Sequence, residues 1–243
     1  GGTTYAGMGR QNRPNSLSEE RGQTNTFTFS NTLNYQKTFN GKHSINAVLG
    51  TESIKSREDV MSGSRINFDN STDPFRYLDY GGTTSIWNGG TQPNNWNLVS
   101  FFGSATYGFE NKYFVTATAR EDGSSRFGPN HKWGFFPSAS AGWIISQEKF
   151  MQKVDWISTL KLRASWGVSG NQEIPNDAYQ TVVTQVGGVV NKIRYGNPDV
   201  KWEATTQTDV GIDVSVLKNR LTFSADYFNK TTNDILLAVP LPA

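Results

Sequence analysis

Runs of ten or more residues in which apolar and polar side chains alternate constrain this chain more than any other feature. A period of two is the signature of a β-strand whose two faces meet different surroundings. Eight such runs follow one another along the chain. Asn25 to Phe39 sets Phe27, Phe29, Leu33 and Tyr35 against Thr26, Thr28, Ser30, Thr32 and Asn34, with Asn31 interrupting the apolar register. Asn40-Gly41 then signals a tight hairpin turn. His43 to about Glu58 returns with Ile45, Ala47 and Leu49 against Ser44, Asn46 and Gly50. Leu98 to Phe109 and Tyr113 to about Asp122 pair around Glu110-Asn111-Lys112, and Thr208 to Leu217 and Leu221 to Thr231 pair around Lys218-Asn219-Arg220. Between these lie Trp133 to Ser146 and Leu160 to Ser169. Their connection carries Phe150, Met151, Val154 and Ile157 at helical spacing, so a short amphipathic helix capped by Ser146 is expected there.

In the last three runs every charge lies opposite the aliphatic side chains. Leu162, Trp166, Val214 and Phe223 are therefore expected on one face, and Arg163, Asp213 and Ser224 on the other. Alternation alone does not distinguish a face against lipid from a face against a dry core. The connections supply the second signal. Short turns or one short helix close each pair, whereas the links between pairs, about Asp59 to Asn97, Gly123 to Lys132 and Gly170 to Gln207, are long. An up-and-down transmembrane β-barrel has this asymmetry, with short turns on the periplasmic side and long loops outside, and a Greek-key sandwich has no reason for it. Runs of about ten residues also suit a tilted strand crossing hydrocarbon. Tyr113, Trp133, Trp143, Tyr227 and Phe228 near the strand ends suit interfacial girdles. The turns at Asn40-Gly41, Asn111, Lys153 and Asn219 are thus expected in the periplasm, and the links containing Trp87, Phe127 and Tyr179 outside.

Composition removes other classes. The chain has no cysteine and two histidines, His43 and His131, which are isolated from each other and from any cysteine. Disulfides, thiolate chemistry and cysteine or histidine metal sites therefore have no supply, and neither a metal nor another cofactor is expected. A net charge of +2 from 23 basic and 21 acidic residues gives no footprint for nucleic acid. No stretch approaches the length of apolar sequence a membrane helix needs. A nucleophile elbow, a phosphate-binding P-loop and a HExxH helix are all missing, and the adjacent carboxylates Glu121 and Asp122 do not form a pair across a cleft; the expectation is that this is not an enzyme.

Three groups of residues remain as site candidates. Arg120, Glu121, Asp122 and Arg126, where a strand enters a long link, read first as a charge cluster that braces the loop, and second as a contact for a polar substrate. Lys161, Arg163, Asp209, Asp213 and Asp226 face the expected lumen, where they line a polar conduit or are simply tolerated by a wet interior. Trp87, Trp96, Tyr179 and Trp202 lie in or beside the long links, where aromatic rings serve a sugar or a protein partner, or pack their own loop.

Several stretches carry a resemblance: FFGSATYGFENKYFVTATAREDGSSRFG, WGFFPSASAGWIISQEKFM, LKLRASWGVSGNQ, GNPDVKWE and TDVGIDVSVLKNRLTFSADYFNKTTNDIL. In this order, from roughly Asn25 onward, they resemble the C-terminal barrel region of the SusC/RagA family of TonB-linked outer-membrane transporters. That resemblance implies a barrel of about 22 strands around a plug, energised by the TonB complex through an N-terminal region. It also implies a SusD-like surface lipoprotein as partner and an oligosaccharide or peptide as substrate. Residues 1–243 are then expected to be one partial barrel domain, a multi-pass segment of the bacterial outer membrane in contact with its lipid. The plug and the remaining strands are expected to lie outside it, since neither a plug, a TonB box nor a terminal aromatic strand is recognisable. The opening at Gly1 without a leader is read the same way. Glycan import is the favoured reading. A soluble all-β carbohydrate-binding or adhesive module is the alternative, and a passive porin the third reading.

Overall fold

The computed structural model describes residues 15–69, 77–83, 86–90, 94–186 and 189–237, with backbone alone for 184–186 and 189–194. The strands are β1 (Ser16–Phe39), β2 (His43–Ile66), β3 (Trp87–Gly90), β4 (Trp96–Phe109), β5 (Tyr113–Ser124), β6 (Trp133–Ile144), β7 (Ile157–Asn171), β8 (Val182–Val186), β9 (Val189–Arg194), β10 (Glu203–Val216) and β11 (Leu221–Asn233). One sheet runs β1-β2-β4-β5-β6-β7-β10-β11, with β3 added beside β2, and β8 and β9 make a separate hairpin. Every expected run is a strand, and sequential order is kept across the sheet.

Two compact units share these strands: Phe27–Lys55 with the described part of Trp96–Ala243, and the described part of Gly1–Thr26 with Ser56–Asn95. In the larger unit the hairpin turns are dictated locally. Asn40 and Gly41 have φ of 51° and 65°, so the Asn-Gly pair forms the mirror-image turn whose twist suits paired strands, closed by Lys42 N–H donating to the Phe39 carbonyl at 3.1 Å. Glu110 and Asn111 repeat this geometry at φ 51° and 56° without a glycine, and Lys112 N–H closes the turn on the Phe109 carbonyl at 3.0 Å.

The register then sorts the side chains. Phe109 faces Tyr113 and Tyr113 faces Trp143; Ala105 faces Ala117 and Ala117 faces Ala139. Trp143 faces Leu162, Leu162 faces Ile212 and Ile212 faces Ala225, while Val214 lies between Leu160 and Phe223. Because most residues meet their own kind on the neighbouring strand, one largely apolar face runs from β4 to β11, broken by Glu121 on β5, as expected for Leu162, Trp166, Val214 and Phe223. The opposite face is a ladder of hydroxyls: Ser104 bonds Thr118 at 3.0 Å, Thr106 bonds Thr116 at 2.9 Å and Thr205 bonds Thr232 at 2.9 Å.

The apolar face is also the exposed one. Val115, Val210, Phe223 and Tyr227 are all more than half exposed, an arrangement that a water-soluble domain avoids. A sandwich needs a second sheet on this face, and among the described residues none covers it. No helix among the described residues is long and apolar enough to cross a membrane.

Two expectations are corrected. The segment after β6 is not an α-helix but two single 3₁₀ turns, Ile145–Gln147 and Lys149–Met151, and Ser146 caps neither. Between them Glu148 is extended, at φ −73° and ψ 150°, with its carboxylate bonded by the Tyr113 hydroxyl and the Trp143 indole. Anchoring that side chain to the strand ends interrupts the helix, so Phe150 and Trp156 stay exposed. The first long link is also shorter than expected. In the smaller unit β1 begins at Ser16 and β2 continues to Ile66, with β3 folded back so that Ser62 pairs with Gly89 and Ser64 with Trp87. These extensions are mainly polar and show no sustained alternation, with Leu17, Val60, Met61 and Ile66 scattered among polar residues, so pairing rather than alternation makes them strands. The Asn15 side chain closes the unit by donating to the Phe68 carbonyl at 2.7 Å and accepting from Phe68 N–H at 2.8 Å.

Segregation of the faces predicts unequal tolerance of charge. In the full-length parent, Val210→Arg, which places a cation between Ala164 and Tyr227 on the apolar face near mid-strand, is expected to destabilise the folded barrel by about 2 to 4 kcal/mol. Ser165→Arg, on the polar face beside Asp209, should cost far less. Urea titration of heat-modifiable mobility on a gel reads the difference, and equal losses at the two positions would remove the lipid-facing assignment.

Candidate functional site

The polar face and the rim of long links hold the candidate residues. On β7, β10 and β11, Arg163 is the hub. Its Nε donates to Asp213 at 3.2 Å, and its two terminal nitrogens reach the Asp226 carboxylate at 2.7 and 2.8 Å. Asp226 lies one strand beyond β10, and Gly211 separates the two groups in the register. A Cβ at Gly211 would stand 2.7 Å from the Arg163 guanidinium carbon, so only glycine lets the side chain cross β10 to its second carboxylate. Ser224 donates to Asp213 at 2.9 Å, and Ser165 and Gln207 donate to Asp209 at 3.3 and 2.9 Å. Lys161 lies opposite Asp213 and lines, with Arg163, Ser165, Asp209 and Gly211, a hollow of about 280 Å³. The five expected lumen-facing residues thus share one face, with their charges largely spent on one another.

The expected charge cluster divides. Arg120 is held by Asp122 at 2.8 Å, Glu52 at 3.3 Å and the buried Ser100 hydroxyl at 2.8 Å, and its guanidinium lies 5.4 Å from the Phe102 ring centre. Glu121 points the other way, between Phe101 and Phe135 in the register. Arg126, 7% exposed, leaves its own segment altogether. It donates to the carbonyls of Gln172 and Ile174 at 3.3 and 3.1 Å, pairs with Glu173 at 3.4 Å and lies 5.1 Å from the Trp96 ring centre. It ties the link after β5 to the link after β7.

The same two links bury the only apolar core among the described residues. Phe127 is fully buried, with its ring 5.0 Å from Trp202, and Phe136 meets Trp202 edge-on at 5.3 Å. Leu98 completes the cluster and Trp96 packs against it. Trp202 donates its indole N–H to the Lys132 carbonyl at 2.9 Å. Of the four loop aromatics, Trp96 and Trp202 are therefore structural members of the rim. Tyr179 is half-buried beside Gly128. Trp87, in the smaller unit, is exposed. Sequence reasoning did not find Glu52, Ser100, Phe127 or Gly211. Phe136 and Leu98 did carry a signal, because they are large apolar residues out of phase on the hydroxyl face at its loop end.

At the turn end of the sheet a second constellation is built. Rings of Phe109, Tyr113 and Trp143 stack in sequence at 6.2 Å spacing, and the His43 ring lies 4.9 Å from Phe109 and bonds the Tyr107 hydroxyl at 2.7 Å. Beneath them Lys42 pairs with Glu110 at 2.7 Å, and Lys112 bridges Glu110 and Glu148 at 3.5 and 3.6 Å. The Lys42 hydrogen bond holds the Glu110 carboxyl below its ordinary range, and the Tyr113 hydroxyl and Trp143 indole do the same for Glu148. Among the described residues no cluster of histidine and carboxylate groups is arranged to hold a metal.

The comparisons follow this geometry. A family model described as TonB dependent receptor-like, beta-barrel, matches residues 1–243. The chain is 36% identical over 225 residues to TonB-dependent receptor P39 of Formosa agariphila, covering 89% of this chain and 21% of that protein. It is 37% identical over 157 residues to TonB-dependent receptor SusC of Bacteroides thetaiotaomicron, covering 60% and 16%. A solved structure described as the RagAB peptide transporter superposes with a TM-score of 0.84 at 32% identity, covering 93% of this chain and 25% of that one. The chain thus spans about a fifth of the curated relatives it matches and about a quarter of the structural one.

Carboxylates with lowered folded values stabilise above the unfolded value and lose that contribution as pH falls through the folded one. Stability of the parent barrel should therefore drop on acidification below the ordinary carboxylate value of 4.5. Glu148→Gln should be less stable at neutral pH and lose less on acidification. Thermal unfolding midpoints between neutral and acid pH test this; an acid limb unchanged in the variant would place the titrating groups elsewhere.

Proposed function

The chain belongs to the family of TonB-dependent receptor-like β-barrels, as part of the barrel of a SusC/RagA-type receptor, and from that membership we propose that its parent imports a bulky oligosaccharide across the outer membrane. The apolar face of the sheet meets lipid, the hydroxyl and ion-paired face meets the lumen, and the strands cross the bilayer repeatedly. In the closed parent barrel β1 and β11 pair with strands beyond this chain, because unpaired backbone groups do not persist in hydrocarbon. Import is coupled to TonB through an N-terminal region of the parent, and a SusD-like lipoprotein sits on the rim formed by the long links.

The observation that supports the choice of substrate is the state of three charges at the rim, Arg120, Asp122 and Arg126. Arg120 and Asp122 are paired with each other, and Arg126 is consumed by two carbonyls and Glu173. A peptide, with charged termini and side chains, is best recognised by free charge at the mouth. Trp87 in the smaller unit and Tyr179 in the larger each offer an aromatic ring, which suits the apolar face of a sugar ring. A peptide remains the second reading, because the similar solved structure is described as a peptide transporter.

Removing about ten residues from each of the two long links, the one that carries Trp87 and Trp96 and the one that carries Tyr179 and Trp202, should depress uptake and co-purification of the lipoprotein while leaving the barrel folded, since long loops on a rigid sheet carry function. Growth on a panel of oligosaccharides and peptides, with and without TonB, checks both parts. Unchanged uptake and partner capture with folding intact would make these segments spacers. Peptide-dependent growth without oligosaccharide-dependent growth would select the second reading.

A further inference from the structure

Glu121 is the charge out of place on this sheet. The register sets it on the apolar face, opposite Phe101 of β4 on one side and Phe135 of β6 on the other. Its sequence neighbours Arg120 and Asp122 lie on the far face and bond each other, and among the described residues the Glu121 carboxylate makes no hydrogen bond or ion pair. One pair nearer the link that follows β5, Trp133 faces Gly123 and stacks on Phe101 with ring centres 6.1 Å apart and 28° between planes. Phe101, Trp133 and Phe135 are 48%, 52% and 61% exposed. A carboxylate framed by three open aromatic rings is a surface for an organic cation, since ring faces attract ammonium groups and repel anions.

Beside it the same face is hollowed. Gly103 and Ala119 lie opposite each other and form a shallow floor, and Leu33, Leu49, Phe101 and Phe135 rise around it to enclose about 680 Å³, with Glu121 in the lining. The hollow extends from Glu121 toward mid-strand. In hydrocarbon such a space is not left empty, because its lining, which is mostly apolar but also includes Asn31, Thr32 and Thr51, would lose dispersion contacts. An unpaired carboxylate on a lipid-facing surface is likewise unfavourable. A cation carried on an apolar chain resolves both at once. A small inorganic cation would leave the hollow unfilled, and a lipid whose headgroup is only anionic would meet Glu121 with like charge.

We propose that this face binds an amine-bearing lipid, with its ammonium on Glu121 among Phe101, Trp133 and Phe135 and one acyl chain in the hollow over Gly103 and Ala119. The inference rests on the reading that this face meets the bilayer. It adds a specific lipid site on the outer wall, at a strand end where headgroups lie, and the lumen and rim residues take no part in it.

The test uses the full-length parent in mild detergent, with dioleoyl phosphatidylethanolamine and its N-acetyl derivative as probes. The derivative keeps both chains and the phosphate but lacks the cation. Native mass spectrometry of bound lipid is expected to show about fivefold preference for the amine, abolished in Glu121→Gln. Ala119→Leu, which fills the hollow, should weaken binding of both lipids. Glu121→Gln should retain heat-modifiable folding and uptake. Equal binding of the two lipids by the natural protein, or a preference that survives Glu121→Gln, would overturn the lipid site. A dimer that dissociates in Glu121→Gln, with no lipid preference, would assign the surface to a second copy and also overturn it. A parent found folded outside the membrane fraction would instead remove the bilayer reading beneath the proposal.

Discussion

Every feature of this sheet depends on pairing between backbones. A strand crossing hydrocarbon has no water to accept its N–H and C=O groups, so each must be satisfied by the neighbouring strand. Once paired, side chains have only two faces to choose from, and a slip of one residue would exchange them. The registers from β4 to β11 keep Phe, Val, Ile, Leu and Ala together on one face and Ser, Thr, Asp and Arg together on the other. Short turns hold that register: two residues at positive φ close each of the first two hairpins. The sheet therefore has almost no conventional core and needs none. On the proposed function, the bilayer does for its outer face what a second sheet does in a sandwich.

On the wet face the problem is charge rather than hydrophobicity. Arg163 reaches two carboxylates across three strands because Gly211 leaves room, and Arg120 is shared among Asp122, Glu52 and Ser100. Such networks brace the sheet by tying neighbouring strands together through their side chains. At the loop end the chemistry changes. Phe136 and Leu98 break phase to give the links something to pack on, and Phe127, Trp202 and Arg126 knit two of those links into a small buried cluster. A rim built this way presents a fixed surface rather than loose loops.

The eight long strands, their turn positions and their facial segregation were legible because each is written locally, in alternation and in turn residues such as Asn40-Gly41; the short strands β3, β8 and β9 were not, and lie in stretches read as links. The rest was not, for identifiable reasons. The outer extensions of β1 and β2 are mainly polar, so Ser16 to Thr24 shows no period two. Phe150, Met151, Val154 and Ile157 have helical spacing, but the anchoring of Glu148 to Tyr113 and Trp143 is a contact across strands that spacing does not encode. Among the charges, Arg120 and Asp122 could be paired from adjacency. Arg126 could not, since its partners are carbonyls 46 and 48 residues away. Glu121 was grouped with them by proximity, yet alternation itself puts it on the opposite face. The rim tryptophans divided by burial, which depends on how two distant links meet.

The central claim is that adjacent residues along one strand meet different solvents. The chain contains no cysteine, so single cysteines introduced one at a time from Asp209 to Ser215 and from Thr222 to Tyr227 in a parent freed of other thiols report this directly through reaction with a charged, membrane-impermeant maleimide. Leaving out Gly211, where a side chain would displace Arg163, the account predicts labelling with a period of two on both strands: strong at Asp209, Asp213, Ser215, Thr222, Ser224 and Asp226, and weak at Val210, Ile212, Val214, Phe223, Ala225 and Tyr227. Labelling that is uniform along the strands, or that favours the aliphatic positions, would contradict it.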